Sequence, residues 1–246
     1  MISKIGDIIS LNQKNMFNKL EKIIFELLLY IRYRKYISIQ DSLVKRCHFY
    51  FQNKSNNINF RHIRIFNSHF SLNGENNSVK IDNSEKIIHG LSVKIYGNNN
   101  FLEIKNGACI FGLRIVIRGE SSHITIGENF SENINCMITC MGRNNYIQIG
   151  NDCMFSENID IWNTDSHLIT DTSNNIINKN KPIIIGNHVW VGKNSVILKG
   201  VTIGNNSIIG MSSVVTKNVD SNSIYAGNPA KKIKEGVNWN RDYAIL

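Results

Sequence analysis

The chain has 246 residues, 42% hydrophobic and 19% charged, which is the composition of a globular protein with room for one domain and a small appendage. Its 28 Lys and Arg outnumber 19 Asp and Glu, giving a formal charge of +9. The excess is not gathered into a basic block with interleaved aromatics, which disfavours nucleic acid and leaves a phosphate-bearing cofactor, an acidic glycan or an anionic membrane surface.

Residues from about Asn15 to Tyr36 read as a helix, with Phe17, Leu20, Ile24, Leu27, Leu28 and Ile31 at helical spacing. Arg32, Arg34 and Lys35 follow at its end, where cations suit the helix dipole. Packing on the main domain or a partner subunit is favoured over lying on a membrane. The apolar stretch Ile23 to Ile31 contains Glu26 and is too short to span a bilayer. Residues 1–55 are therefore expected to form a helical and irregular N-terminal region. Lacking a basic n-region followed by a cleavage-like site, the chain is expected in the cytoplasm, with peripheral association at the inner membrane face left open.

From about Asn56 the pattern changes to short β-like runs, such as Val79-Lys80-Ile81 and Val93-Lys94-Ile95, punctuated by Asn, Gly and Ser. A longer repeat spaces Asn99-Asn100-Phe101-Leu102-Glu103-Ile104, Ser122-His123-Ile124-Thr125-Ile126-Gly127 and Asn145-Tyr146-Ile147-Gln148-Ile149-Gly150 by one coil each. The cysteines Cys47, Cys109, Cys136, Cys140 and Cys153 are odd in number, form no CxxC pair and fit reduced thiols rather than a disulfide framework.

The last quarter carries a strict hexad: Ile185, Val191, Ile197, Ile203, Ile209 and Val215. Four residues after each comes a small or β-branched residue: Val189, Ser195, Val201, Ser207, Ser213 and Val219. Neither a helix near 3.6 nor a strand near 2 has this period, whereas short strands joined by tight corners in a parallel β-helix do. Gly186, Gly192, Gly204 and Gly210 are expected to relieve the corner backbone. The expected architecture is an all-β solenoid over 56–230, with a loop at 162–182 where the ladder fails and a tail at 231–246. Loops on rigid scaffolds are where chemistry tends to sit.

The run from Asp165-Ser166-His167 to Ile185-Gly186-Asn187-His188-Val189-Trp190-Val191-Gly192 resembles the hexapeptide-repeat acyltransferases. So do Leu198-Lys199-Gly200-Val201-Thr202-Ile203-Gly204, Val214-Val215-Thr216-Lys217 and Ala226-Gly227-Asn228-Pro229-Ala230-Lys231-Lys232-Ile233. The resemblance covers roughly residues 145–236. It points to the branch with galactoside and xenobiotic acetyltransferases and the O-acetyltransferases of capsule and O-antigen synthesis.

This resemblance implies a left-handed parallel β-helix, a homotrimer, and acetyl-CoA held between neighbouring subunits. It assigns the general base to His167 and the acyl and acceptor site to Trp190 and Asn163. It assigns the CoA path to Gly192, Gly210, Met211, Ser212, Thr216, Lys217, Lys231 and Lys234, where Met211-Ser212 departs from the usual small pair. A sugar hydroxyl attacks a thioester poorly until its proton is removed, and neutral imidazole titrates near the working pH. Asp165 either holds the imidazole tautomer or is an ordinary turn aspartate; in an extended segment it shares a face with His167 while Ser166 points away. His188 reads as a corner or surface histidine.

The expected function is acetyl transfer from acetyl-CoA to a sugar hydroxyl of a bacterial surface polysaccharide or its precursor, the acceptor being a carbohydrate that can be anionic. N-acetylation of an amino sugar or nucleotide sugar, and a scaffold without turnover, are the alternatives. No metal is expected, since His123, His167 and His188 lack the spacing of a three-imidazole zinc site.

Overall fold

The computed structural model describes residues 35–84 and 86–242. The expected N-terminal helix lies outside the described residues except for Lys35 and Tyr36, which form a turn. From Ile37 onward the chain winds into a parallel β-solenoid with three faces. The first face is an 8-stranded parallel sheet running from Ile37–Gln40 to Thr202–Ile203. The third face is another 8-stranded sheet, from His48–Phe51 to Val214–Val215. Between them, a 4-stranded and a 6-stranded sheet share the second face, joined by the bridge between Cys109 and Ser131. Eight coils result, each laying one short strand on every face.

The hexad ladder converts directly into this geometry. Ile185, Val191 and Ile197 occupy successive faces, and Ile203, Ile209 and Val215 pair with them one coil later. All six point inward and are almost wholly shielded from water. Earlier coils are wider, because their third-face strands Ser92–Asn98, Arg114–Glu120 and Met137–Arg143 each have 7 residues. Their first-face strands still stack in register, Ile58 on Val79 on Leu102 on Ile124 on Ile147 on Ile183. At the N-terminal end Phe49, Phe60 and Phe70 fill the wider interior, with Phe49 stacked 5.4 Å from Phe70.

Corners are made in two ways. Asn67, Asn76, Asn99, Asn129, Asn144, Asn158, Asn194 and Asn206 adopt positive φ, a region asparagine tolerates better than other side chains. Buried polar residues then satisfy the corner backbone. Asn77 accepts from the Asn100 amide (3.0 Å) and donates to the Gly97 carbonyl (2.7 Å), and Asn100 repeats the pattern with Ser122 and Gly119. The hexad glycines do not serve the expected purpose, since Gly186, Gly192, Gly204 and Gly210 are not at positive φ. They are needed for close approach: a Cβ on Gly192 would lie 2.7 Å from the Met211 amide nitrogen.

Two expected boundaries move. The solenoid begins at Ile37 rather than 56, because Ile37–Gln40, Leu43–Lys45 and His48–Phe51 form a complete first coil. Its corners use Asp41 and Arg46 at positive φ, and an arginine there does not read as a turn residue. The region from 231 is not a loose tail. Lys231–Glu235 pairs antiparallel with Ser223–Ala226, which itself extends the second face. The chain then folds back and buries Trp239.

Candidate active site

After Trp162 the chain leaves the third face, and it rejoins the first face at Ile183. The excursion is rooted by Asn163, whose side chain is fully buried. Its Oδ1 accepts the Met141 amide (2.7 Å), its Nδ2 donates to Cys140 Sγ (3.3 Å), and its carbonyl accepts the Lys181 amide (3.2 Å). Asn163 therefore ties the two ends of the arm to the wall and does not face the cleft. The arm closes on itself through a bridge between Thr170 and Ile176 and an Asp171-centred turn, where Oδ1 accepts the Ser173 and Asn175 amides at 2.9 Å each. Leu168, Ile169, Ile176 and Ile177 lie exposed along it.

Beneath the arm is a cleft of about 610 Å³ at the edge between the third and first faces. His167 lines it, with Ser166 beside it and Asn145 and Met141 in the opposite wall. The formally charged side chains lining it are Arg118, Arg143 and Lys179, all positive. Arg143 donates to Glu120 at 3.0 Å, outside the lining, and Arg118 lies 5.1 Å over the Tyr96 ring.

His167 is set by its main chain. Its amide donates to the Asp165 carbonyl (2.7 Å) and its carbonyl accepts from Asn178 Nδ2 (2.7 Å). The same Nδ2 reaches Asp165 Oδ2 (3.0 Å), while Asn178 Oδ1 accepts the Ile169 amide (2.7 Å). Lys199 pairs with Asp165 Oδ2 and also donates to the Asn178 carbonyl (3.2 Å). The Lys199 ammonium, then the Asn178 amide, hold the Asp165 carboxyl below its ordinary range. Among the described residues these are the carboxylate's hydrogen-bonding partners, and the imidazole is not one of them. The expectation of an extended segment fails at Ser166, whose φ of 65° turns the chain, so that both Ser166 and His167 reach the cleft.

The other expected site residues are distributed around the prism. Trp190 projects from the second face, opposite the edge that bears His167, so one chain does not bring the two together. Its Nε1 is buried without a hydrogen-bond partner, and Trp239 packs 6.1 Å from its ring. Gly192, Gly210, Met211 and Ser212 sit at the corner between the second and third faces, with Met211 exposed. The Gly192, Gly210 and Ser212 amides already donate to Ile209, Tyr225 and Lys193 carbonyls. Thr216 and Lys217 are exposed on the edge that bears the His167 arm, two coils beyond its root. Lys231 and Lys234 are exposed on the closing hairpin.

His188 is a corner histidine at positive φ, and the returning tail locks it in place. It stacks on Trp239 at 4.1 Å, contacts Asp152 at 2.6 Å, and meets the Trp239 main chain and indole at 2.9 and 2.8 Å. Arg241 adds a 2.9 Å bond to Asp152 and one of 2.7 Å to Ser131. The sequence reading missed this latch, because Trp239 and Arg241 lie beyond the hexads. It also missed Asn178, Arg118 and Arg143; the coil-to-coil register that stacks residues 92–98, 114–120 and 137–143 is the signal that reveals the two arginines. Lys199 lay within a recognised motif without a role. The buried Cys47, Cys136, Cys140 and Cys153 have thiols pushed up to between about 11 and about 12 by burial, as inert core thiols. Among the described residues no helix is long and apolar enough to cross a membrane.

Residues 182–217 match the family model described as bacterial transferase hexapeptide (six repeats). A polysialic acid O-acetyltransferase of Neisseria meningitidis is 37% identical over 151 residues, covering 61% of this chain and 68% of that protein. One from Escherichia coli O1:K1 is 49% identical over 96 residues, covering 39% of this chain and 31% of its own length. The solved structure of the polySia-specific acetyltransferase NeuO superposes with a TM-score of 0.70 at 32% identity, covering 85% of this chain and 92% of that one. The ladder, the interrupted coil with His167 on its arm and these similarities agree: this chain is an acyltransferase of the hexapeptide-repeat family, on the branch of the bacterial surface-polysaccharide and galactoside O-acetyltransferases.

Proposed function

We propose that the chain transfers an acetyl group from acetyl-CoA to a sugar hydroxyl of an anionic bacterial capsule polysaccharide, with His167 as the general base. The observation that carries this reading is the cleft itself: His167 opens onto a space whose charged lining is wholly positive. Such a lining suits a carboxylated acceptor and opposes binding of an amine. The names of the relatives, polysialic acid O-acetyltransferases, point the same way.

In this reading Arg118, Arg143 and Lys179 draw in and orient the acceptor. The His167 imidazole accepts the hydroxyl proton as the oxygen attacks the thioester carbonyl, then returns it to the departing thiolate. The thioester supplies an already activated acyl group, so no covalent enzyme intermediate is required. Lys217, Lys231 and Lys234 are the exposed cations suited to the CoA phosphates. The separation of His167 from Trp190 within one chain supports a homotrimer with sites between copies. The exposed apolar arm, and the outward Trp162, Val196, Leu198 and Val214 of the third face, support the same assembly.

Incubation with acetyl-CoA and polysialic acid, followed by NMR of the product, tests the proposal. O-acetyl signals are expected from the wild type and should fall by orders of magnitude with His167→Ala. Undiminished activity in that variant would sink the mechanism.

A further inference from the structure

The latch beside Trp190 is built around one imidazole, and both of its ring nitrogens meet acceptors. His188 Nδ1 lies 2.6 Å from Asp152 Oδ2, and Nε2 lies 2.9 Å from the Trp239 carbonyl oxygen. The carbonyl has no proton to give. Asp152 is a carboxylate, since its other oxygen accepts from Arg241 Nε and Nη2 at 3.1 and 2.9 Å. Burial by itself would raise that carboxyl, but the His188 and Arg241 hydrogen bonds outweigh it and hold the group below its ordinary range. Both contacts are hydrogen bonds only when both ring nitrogens bear protons, so the closed latch holds an imidazolium. The cation lies flat on the Trp239 indole, with ring centroids 4.1 Å and planes 7° apart. A neutral ring would turn a nitrogen lone pair toward one of the two oxygens.

Little else holds the segment down. Gly236 turns the chain at a φ of 70°, where a Cβ would meet nothing within 4 Å. Val237 donates its amide to the Asn222 carbonyl at 3.0 Å, and Asn238, Asn240, Arg241 and Asp242 are exposed. Trp239 is the buried side chain of the segment, and it packs 6.1 Å from the Trp190 ring. Trp190 Nε1 is buried there without a partner. A permanent cover would leave that donor unpaired in every state, whereas a cover that lifts lets it meet water or an acceptor on a bound ligand.

Among the described residues, the charged groups bonded to the ring or to its partners are Asp152 and Arg241. Cys153, whose carbonyl accepts from Arg241, has a thiol that burial pushes up to about 11 and keeps neutral. Glu132 follows the Ser131 that Arg241 bonds; it points into the interior, and burial pushes its acid up to about 7. Within the latch itself, the imidazole is the group that changes charge across the neutral range.

We infer that residues 237–242 form a proton-operated cover: protonated His188 holds them over Trp190, and loss of that proton releases them and opens the indole to solvent and ligand. Access to Trp190 is a separate matter from the group transferred, so the cover does not rest on the acyl-transfer reading.

Acrylamide quenching of tryptophan emission, measured on the full chain from pH 6 to pH 9, tests it. The quenching constant should roughly double as pH rises, with emission moving to longer wavelength and far-UV circular dichroism unchanged. His188→Asn tolerates the φ of 54° and stays neutral, so its quenching should be high at every pH. Asp152→Asn should move the release to lower pH, because the carboxylate no longer supports the cation; a merely structural contact would loosen the tail equally at every pH. Glu132→Gln should keep the step.

Equal quenching across the range in the wild type would overturn the cover. So would a step that survives in His188→Asn, one that vanishes in Glu132→Gln, or one that accompanies unfolding of the solenoid. If His188→Asn fails to fold, Asp152→Asn decides, and an unmoved midpoint there would overturn the role of His188.

Discussion

The carboxylate of Asp165 is held by Lys199, from the next coil, and not by the imidazole of His167 two residues away. This makes Asp165 an anchor of the arm. Through Asn178, which bonds both Asp165 and the His167 carbonyl, it fixes where the histidine stands. A carboxylate that set the imidazole tautomer would act on the proton transfer itself, whereas an anchor acts on geometry.

The two roles separate experimentally. Asp165→Asn and Lys199→Met should each lower kcat/KM by roughly tenfold, about 1.4 kcal/mol. Combined, they should cost little more than either alone, since they remove one interaction. The pH profile should keep its shape in both variants. A displaced pH profile in Asp165→Asn alone would assign the carboxylate to the imidazole instead.

Glycines that allow coils to touch should be intolerant of substitution. In Gly119→Ala the new Cβ would overlap the Gly142 carbonyl, and backbone cannot move aside as a flexible side chain can. A loss of several kcal/mol, read as failure to express soluble protein or a collapsed Tm, is expected. Gly90→Ala should be milder: its nearest atoms lie 3.5 Å or more away, and its φ of +68° leaves only the local strain of a left-handed alanine, about 1 kcal/mol. Equal losses in the two variants would refute the contact argument.

The C-terminal latch should shield Trp190. Trp239→Ala removes the stack on His188 and the indole bond to its carbonyl, at about 3–5 kcal/mol. Because Trp239 packs beside Trp190, the remaining tryptophan emission should shift to longer wavelength as water reaches it. Arg241→Ala should weaken the latch less, since its ion pair with Asp152 joins side chains 39% and 41% exposed and is screened by water. Unchanged emission in Trp239→Ala would show that the tail does not cover Trp190.

The fold was legible where a strict period forced one answer: six aliphatic hexads can stack only if three make a coil. Earlier coils kept their alternation but lost the hexad, so the start at Ile37 was hidden, with a corner at Arg46 that carries no turn signal. Within the site, His167 and its arm were visible as a break in the pattern. The role of Asp165 was not, because assigning it required the φ of Ser166 and the placement of Lys199, which lies 34 positions along the chain. Arg118 and Arg143 sit at ordinary outward strand positions, and only stacking brings them to the cleft.

Glu132 is the acid in the wrong place. It occupies the inward column that continues as Phe155, Val191 and Ile209, and only 4% of it is exposed. Its Oε1 accepts the Phe111 amide at 2.6 Å, while Oε2 is buried without a partner. Burial pushes its pKa from 4.5 up to about 7. The fold therefore favours the protonated acid, and the stability associated with it is complete below about pH 4.5. As pH rises the unfolded chain ionises first, so this contribution is lost progressively and is gone above about pH 7. A shift of that size corresponds to about 3 kcal/mol. Glu132→Gln cannot ionise, so its Tm should fall less than that of the wild type between pH 5 and pH 8, and at pH 8 the variant should be the more stable. Comparing the two proteins cancels the opposite trends of Asp152, Asp165 and Asp220, whose pKa values are lowered. Parallel Tm curves for wild type and variant would mean that the folded chain accommodates the charged carboxylate.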